Sequence, residues 1–268
     1  PYTTLFRSQE LFTLTGDNYY NSLWGYQNGK VRNSAVSRVK RPMLMLTHVF
    51  NIGPNSKWNT SLFYNFGTSG LTGLNWSDAS NPRPNYYRYL PSYFYSIGDN
   101  LRGDDLTQQW QNNINTQQID WDRLIQLNRN NLYVLPSQLG QGINTSETRA
   151  RYVLENRVED LKNLGLNSVY NTRIKKLFWS LGINANQYRN RKYKLMEDLL
   201  GSTFWLDYDQ FAENLGSDPF FQQNDISKPD NKIFKGDKFG YDYSINVNRA
   251  EMWSQIEYSF DKVDVYAG

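Results

Sequence analysis

The chain has 268 residues, of which 39% are hydrophobic and 16% aromatic, with 20 tyrosines, 8 tryptophans, no cysteine and a formal net charge of +3. Without cysteine, disulfides, cysteine-ligated metals and thiol catalysis are excluded; so small a basic excess gives no nucleic-acid signal. Mean hydropathy is −0.72, and no apolar run approaches the ~20 residues of a membrane helix, a test that barrel strands with one polar face escape.

In chain order, a short strand piece is expected at 9–14, then a loop over 15–35 and a strand over 36–52. In that strand Met43, Met45 and Val49 point away from Leu44, Leu46, Phe50 and Ile52, and the even set is expected to meet lipid. Gly53-Pro54-Asn55-Ser56 reads as a tight turn. Over 57–68, Trp58, Thr60, Leu62, Tyr64 and Phe66 share one face, with Asn59, Ser61 and Asn65 on the other. Such alternation is the mark of a strand with one oily and one wet side.

A long loop over 69–150 follows, in which Asp120 starts an amphipathic helix reaching Arg129. Strands are expected at 151–171 and 176–190, joined by Thr172-Arg173-Ile174-Lys175. In the second, Leu177, Trp179, Leu181, Ile183 and Ala185 oppose Phe178, Ser180, Gly182, Asn184 and Asn186. The loop 191–237 is expected to hold two helical turns from Lys194 to Leu200 and a short helix from Asp207 to Leu215. The last long strand, 238–260, carries its oily residues at odd positions through Val247 and at even positions from Met252. A bulge near Arg249–Glu251 accounts for that shift; a hairpin there is the alternative. Asp261-Lys262 turns the chain into a final piece at 263–268.

Short and long connections thus alternate strictly, as they must when all short turns lie on one side of a membrane. The expected fold class is all-β: a partial antiparallel transmembrane β-barrel wall with long extracellular loops containing short helices. The chain opens on Pro1 and stops as a new alternating run begins. Residues 1–268 are therefore expected to be one internal fragment of a longer protein, with the plug domain of such a barrel absent.

Several segments resemble one family in the same order. They are Ser22-Leu23-Trp24-Gly25-Tyr26-Gln27-Asn28-Gly29-Lys30 with Arg32-Asn33, Pro42-Met43-Leu44-Met45-Leu46 with His48, and the run from Asn81 to Tyr93. Asp120-Trp121-Asp122, Asn128-Arg129-Asn130-Asn131, Tyr152-Val153-Leu154-Glu155 and Gly236-Asp237-Lys238-Phe239-Gly240-Tyr241 complete the set. Over roughly 18–268 the chain resembles the barrel of TonB-dependent outer-membrane receptors, of the type with a carboxypeptidase-regulatory-like domain ahead of the plug. The resemblance implies transport across the outer membrane of a Gram-negative bacterium, not enzymatic activity. It implies as partners outer-membrane lipid, the plug domain of the full-length chain, the TonB energy-transducing complex reached through the missing N-terminal part, and an unknown bulky nutrient. A siderophore, vitamin, glycan or peptide would fit. No cofactor is implied. A soluble secreted all-β glycan-binding module is the alternative, in which the oily faces would pack against each other.

Tyr86, Tyr87, Arg88, Tyr89 and Tyr93 form the leading ligand-contact candidate, since tyrosine offers a flat apolar face and a polar tip. Trp205, Phe220 and Phe221 form a second. Either cluster can instead pack its own loop. Trp58, Tyr170, Trp179, Phe239, Tyr241 and Phe260 are expected at headgroup depth on the oily face. Asn65, Asn167, Asn184, Asn186, Asp242 and Asn246 are expected to wet the barrel interior. The carboxylate pairs Asp104/Asp105, Asp120/Asp122, Glu197/Asp198 and Asp207/Asp209 read as caps or solvated groups rather than catalytic or metal ligands, and the lone His48 has no triad partner in view.

Overall fold

A computed structural model describes residues 2–134, 146–209, 212 and 222–268. It is 52% strand and 19% helix, mostly antiparallel β-sheet, which is the all-β character that the alternation implies. The elements are α1 (Tyr2–Thr15), β1 (Trp24–Gln27), β2 (Lys30–Asn33), β3 (Ser37–Lys40), β4 (Met43–Gly53) and β5 (Ser56–Trp76). Then come α2 (Pro91–Ser96), α3 (Asn100–Asn112), α4 (Trp121–Arg129), β6 (Tyr152–Ile174) and β7 (Leu177–Asp198). β8 (Trp205–Leu206), β9 (Lys232–Ile233), β10 (Lys238–Ser259) and β11 (Asp264–Ala267) complete the chain. The main sheet runs in the order β11-β10-β7-β6-β5-β3, with β4 also paired to β5. Its long strands β5, β6, β7 and β10 pair in chain order as an up-and-down meander, and β5 takes both β3 and β4 on its other side. The sheet is open, with β11 at one edge and β3 and β4 at the other.

The chain divides into two compact units. One holds Arg38–Gly70, Val158–Tyr193 and Tyr241–Gly268. Its sheet has two chemically different faces. The β4–β5 register pairs Leu44 with Tyr64, Leu46 with Leu62, His48 with Thr60 and Phe50 with Trp58. The even residues of β4 therefore share a face with the oily residues of β5, as the sequence pattern requires. The Trp58 indole N–H donates to Ser168 Oγ at 2.7 Å and that of Trp179 to Ser254 Oγ at 2.8 Å, which carries the same face across β6, β7 and β10. On this apolar face Leu44, Leu46, Phe50 and Ile52 are each at least 50% exposed. Leu62, Leu164, Leu166, Ile183, Met252 and Ile256 are exposed with them.

The opposite face is joined by polar side chains. Asn171 accepts from Ser180 at 2.7 Å, Asn167 pairs with Asn184, and Asn163 accepts from Asn186 at 2.7 Å. Glu159 meets Lys192 at 2.8 Å and Arg41 at 2.7 Å. Two glycines on this face sit under aromatic rings. A Cβ on Gly165 would fall 2.2 Å from the Phe63 ring, and one on Gly182 2.2 Å from that of Trp253. The short turns lie side by side: the Arg173 N–H donates to Asn55 O at 2.9 Å and the Ser259 N–H to Lys176 O at 2.9 Å.

The other, unit one, holds Pro1–Ser37, Leu71–Arg157 and Lys194–Gly240. The buried apolar clusters of the described residues all lie in it. One joins Val153, Met196, Trp205, Ile233 and Phe239; another joins Ile119, Trp121, Leu124, Tyr152, Leu154 and Leu200. Here the sheet ends serve a packed globular body rather than an open face.

Four expectations are corrected. Residues 9–14 belong to α1, not to a strand: Leu11 and Leu14, one helical turn apart, pack toward Leu90 and Trp110, and Gly16 at φ +70° stops the helix. Lys194–Leu200 is not helical over most of its length, because β7 continues to Asp198. Met196 there accepts from the Gly236 N–H at 2.8 Å and donates to Asp237 O at 2.9 Å, and such pairing overrides helix propensity. β10 is uninterrupted, so there is no hairpin at Arg249–Glu251. Nor is there a one-residue phase shift. Arg191 meets Asp242 and Trp179 meets Ser254, so odd residues of β7 face even residues of β10 at both places. The oily odd residues Tyr243, Ile245 and Val247 consequently share the polar face with Gly182 and Lys192, and the apolar stripe changes sides along the strand. Phe239 is not at an exposed strand end but buried beside Met196 and Ile233.

Candidate functional site

Unit-one loops are fixed by a few directed contacts. β1 and β2 form a hairpin whose turn, Asn28 at φ +48° and Gly29 at φ +75°, suits an Asn-Gly pair. It docks on the segment before α4. The Ile119 N–H donates to Trp24 O at 2.9 Å, the Trp121 indole donates to Arg32 O at 3.1 Å, and the Arg32 guanidinium lies 4.4 Å over the Trp121 ring. A Cβ on Gly25 would fall 2.0 Å from Ile119 O, so only glycine permits this approach. α4 starts as expected: Asp120 caps it, accepting from the Arg123 N–H at 3.0 Å. Asn128, 0% exposed on the buried side of α4, accepts from the N–H groups of Arg151 and Tyr152 and donates to the carbonyls of Tyr152, Leu199 and Leu200.

Beside α4 lies a cavity of about 810 Å³. Its wall comes from the segment 78–84, from Arg88 and Tyr89, from Phe94 of α2, from Arg102, Leu106 and Trp110 of α3, from Arg123, Leu124 and Leu127 of α4, and from Arg151 and Tyr152. Its charged lining among the described residues is Arg83, Arg88, Arg102, Arg123 and Arg151 against Asp78 and Asp120. A neighbouring recess of about 460 Å³ is lined by Trp76, Tyr86, Arg88 and Tyr89.

The tyrosine run forms an edge-to-face ladder. Tyr86 meets Tyr87 at 4.8 Å and Tyr89 at 5.2 Å, Tyr87 meets Tyr93 at 5.8 Å, and Tyr93 meets Phe94 at 5.3 Å between ring centres. Thus the structure brings Arg88 and Tyr89 to the cavity and Tyr86 to the recess, while Tyr87 and Tyr93 brace the ladder. The Arg88 Nε–H donates to Tyr87 Oη at 2.9 Å, and that hydrogen bond from a cation holds the Tyr87 phenol below its ordinary range. Burial pushes the Tyr152 phenol up; its hydroxyl donates to Ser80 O at 3.0 Å.

Trp205 is 3% exposed in the cluster with Val153 and Ile233, so packing accounts for its ring. Phe220 and Phe221 lie outside the described residues. Of the short helix expected at 207–215, Asp207–Asp209 are not helical, with Tyr208 bridged to Gln223, Ala212 is helical, and the remainder lies outside the described residues. The carboxylate pairs are engaged in structure. Asp104 accepts from the Tyr95 hydroxyl, Asp122 from the Asn28 N–H, Asp198 from Arg32 and the Leu200 N–H, and Asp207 from Asn224 and the Gly240 N–H. Among the described residues no group of three His, Asp or Glu side chains is placed to hold a metal. His48 stacks on Phe50 at 6.1 Å in β4. No helix among the described residues is long and apolar enough to cross a membrane, which says nothing of strands.

The arginines at 102, 123 and 151 were beyond sequence reasoning: they come from three separated elements, and no spacing links them to the tyrosine run. Comparison with family models, with curated proteins and with solved structures gives no match.

Proposed function

We propose that the chain is a wall segment of an outer-membrane TonB-dependent transporter that takes up a bulky nutrient. In this reading the apolar face meets acyl chains, the polar face lines an aqueous interior shared with a plug, and the cavity-bearing loops face outward to meet the ligand. The short turns lie on the periplasmic side. Energy comes from the TonB complex acting through the plug.

The observation that carries it is the continuous exposed apolar face over β4, β5, β6 and β7, backed by ladders of Asn, Ser and charged side chains. A soluble chain rarely leaves a contiguous apolar patch of such extent uncovered. The stretch from Leu44 to Ile52 suits the ~9–11 residues of a tilted membrane strand. The glycan-binding sandwich requires a second layer over this face, and it has none among the described residues.

The natural absence of cysteine permits a direct test. Single cysteines at Leu46, Leu62 and Ile183, or at Ser61, Asn163 and Asn184, are labelled with an environment-sensitive dye in the full chain refolded into lipid vesicles. Quenching of the first three by a lipid-soluble quencher, and of the second three by iodide, is the expected result. The opposite partition, or uniform aqueous quenching, refutes the reading.

A further inference from the structure

We propose that the unit-one cavity binds an oligoanion, a ligand carrying two or more carboxylate, sulfate or phosphate groups. That it would be the transported nutrient rests on the receptor reading; that it binds does not. The lining carries five arginines and two aspartates, an excess equal to the formal net charge of the entire chain, +3. The Asp120 carboxylate accepts the Arg123 N–H at 3.0 Å and Asp78 pairs with Arg151 at 3.8 Å, so the positive excess stands after both aspartates are counted. Among the described residues Arg83, Arg88, Arg102 and Arg123 make no ion pair. Several like charges sharing one concave wall repel each other, and an anion entering it relieves that repulsion.

The guanidinium groups are also held in ways that spare their donors. Arg102 rests 4.6 Å over the Phe94 ring and Arg83 5.1 Å over that of Trp76. Arg83 and Arg88 each donate Nε–H locally, to Asn81 Oδ1 at 3.3 Å and Tyr87 Oη at 2.9 Å. Stacking occupies the face of a guanidinium and leaves its in-plane N–H groups available for two-pronged contact with a carboxylate, sulfate or phosphate. Holding the cations before the ligand arrives lowers the ordering cost of binding. A volume of about 810 Å³ is that of a small-molecule site rather than a single-ion site, so the charges belong to one multivalent ligand.

The test is isothermal titration of the full chain in detergent with citrate, pyrophosphate and trigalacturonate, and with neutral maltotriose as control. Saturable binding of at least one anion is expected, with none of maltotriose. That binding should weaken steeply as salt is raised, and Arg102→Gln and Arg123→Gln should each weaken it about tenfold or more. Failure of all three anions overturns the proposal, as does equal binding of maltotriose, affinity insensitive to salt in the unaltered chain, or unchanged affinity in both variants. Gel mobility that depends on boiling is read on the same samples. If it persists while the anions fail, the oligoanion site is refuted and the receptor reading stands.

Discussion

Asn128 ties together three chain segments that are remote in sequence. Its amide meets five backbone groups, at 2.9 and 3.1 Å as acceptor and at 2.7, 3.0 and 3.2 Å as donor. Buried backbone groups left without partners cost about 1–3 kcal/mol each. Asn128→Ala should therefore destabilise the loop unit by about 3 kcal/mol or more. The check is the urea concentration at which added protease cuts within 119–131 in the full chain; an unshifted midpoint contradicts the role. Sequence reading placed Asn128 inside a recognisable segment but gave it no task, because its partners, Arg151, Tyr152, Leu199 and Leu200, have no spacing signature. The run holding Arg88 and Tyr89 was conspicuous in the sequence as tyrosine-rich, and the fold places both in the cavity wall. Arg102 and Arg123 were not conspicuous: on amphipathic helices a solvated arginine and a cavity arginine look alike until the fold gathers them.

Strand positions were legible in the middle of each element and lost toward the loop ends, for a physical reason. Alternation marks a strand with one face covered. Where β6 begins, Tyr152, Val153, Leu154 and Glu155 are all buried, and the period of two disappears from the sequence. Glu155 tolerates this because Asn75, Arg157 and Lys194 surround its carboxylate. The β8–β9 pair, equally invisible beforehand, leads into a buried phenol. Tyr208 donates to Asp230 Oδ1 at 2.6 Å. Burial, and then this hydrogen bond to a carboxylate, push its pKa up from the ordinary value. A group whose folded pKa is raised gives its full stabilisation below the unfolded pKa and loses it as pH rises toward the folded one. The β8–β9 pair and the Tyr208 contact beside it should thus hold steady up to about pH 10 and loosen above it. Tyr208→Phe should reduce that alkaline loss while costing about 1 kcal/mol at neutral pH. Hydrogen exchange followed across that range decides the matter, and an unchanged alkaline slope in the variant counts against it. Tyr20, also raised by burial, contributes a separate share that the variant leaves in place.

At the scale of the molecule, the long strands β4, β5, β6, β7 and β10 follow one another through the main sheet, joined alternately by short turns and long loops. One sheet then serves two environments. The buried apolar clusters of the described residues lie in unit one, whereas in the other unit, one face of β4 to β7 is oily and bare and the opposite face carries amide and ionic pairs. That contrast yields a paired prediction with opposite signs on adjacent residues. Leu46, opposite Leu62, lies on the apolar face; Thr47, opposite Ser61 and hydrogen-bonded to it at 3.0 Å, lies on the polar one. Placing arginine on the lipid face of a barrel costs about 2–4 kcal/mol near the bilayer midplane, whereas interior positions tolerate charge. Leu46→Arg should therefore lower the yield of full chain refolded from urea into lipid vesicles by a factor of about ten or more, while Thr47→Arg stays within about twofold of the unaltered chain. Folded material is scored by its faster migration before boiling. In detergent-free buffer, where both faces of β4 meet water, neither substitution should aggravate aggregation, and Leu46→Arg should reduce it. If the two variants refold equally, or if Thr47→Arg is the worse, the apolar face does not meet lipid and the two-sided assignment of the sheet is wrong.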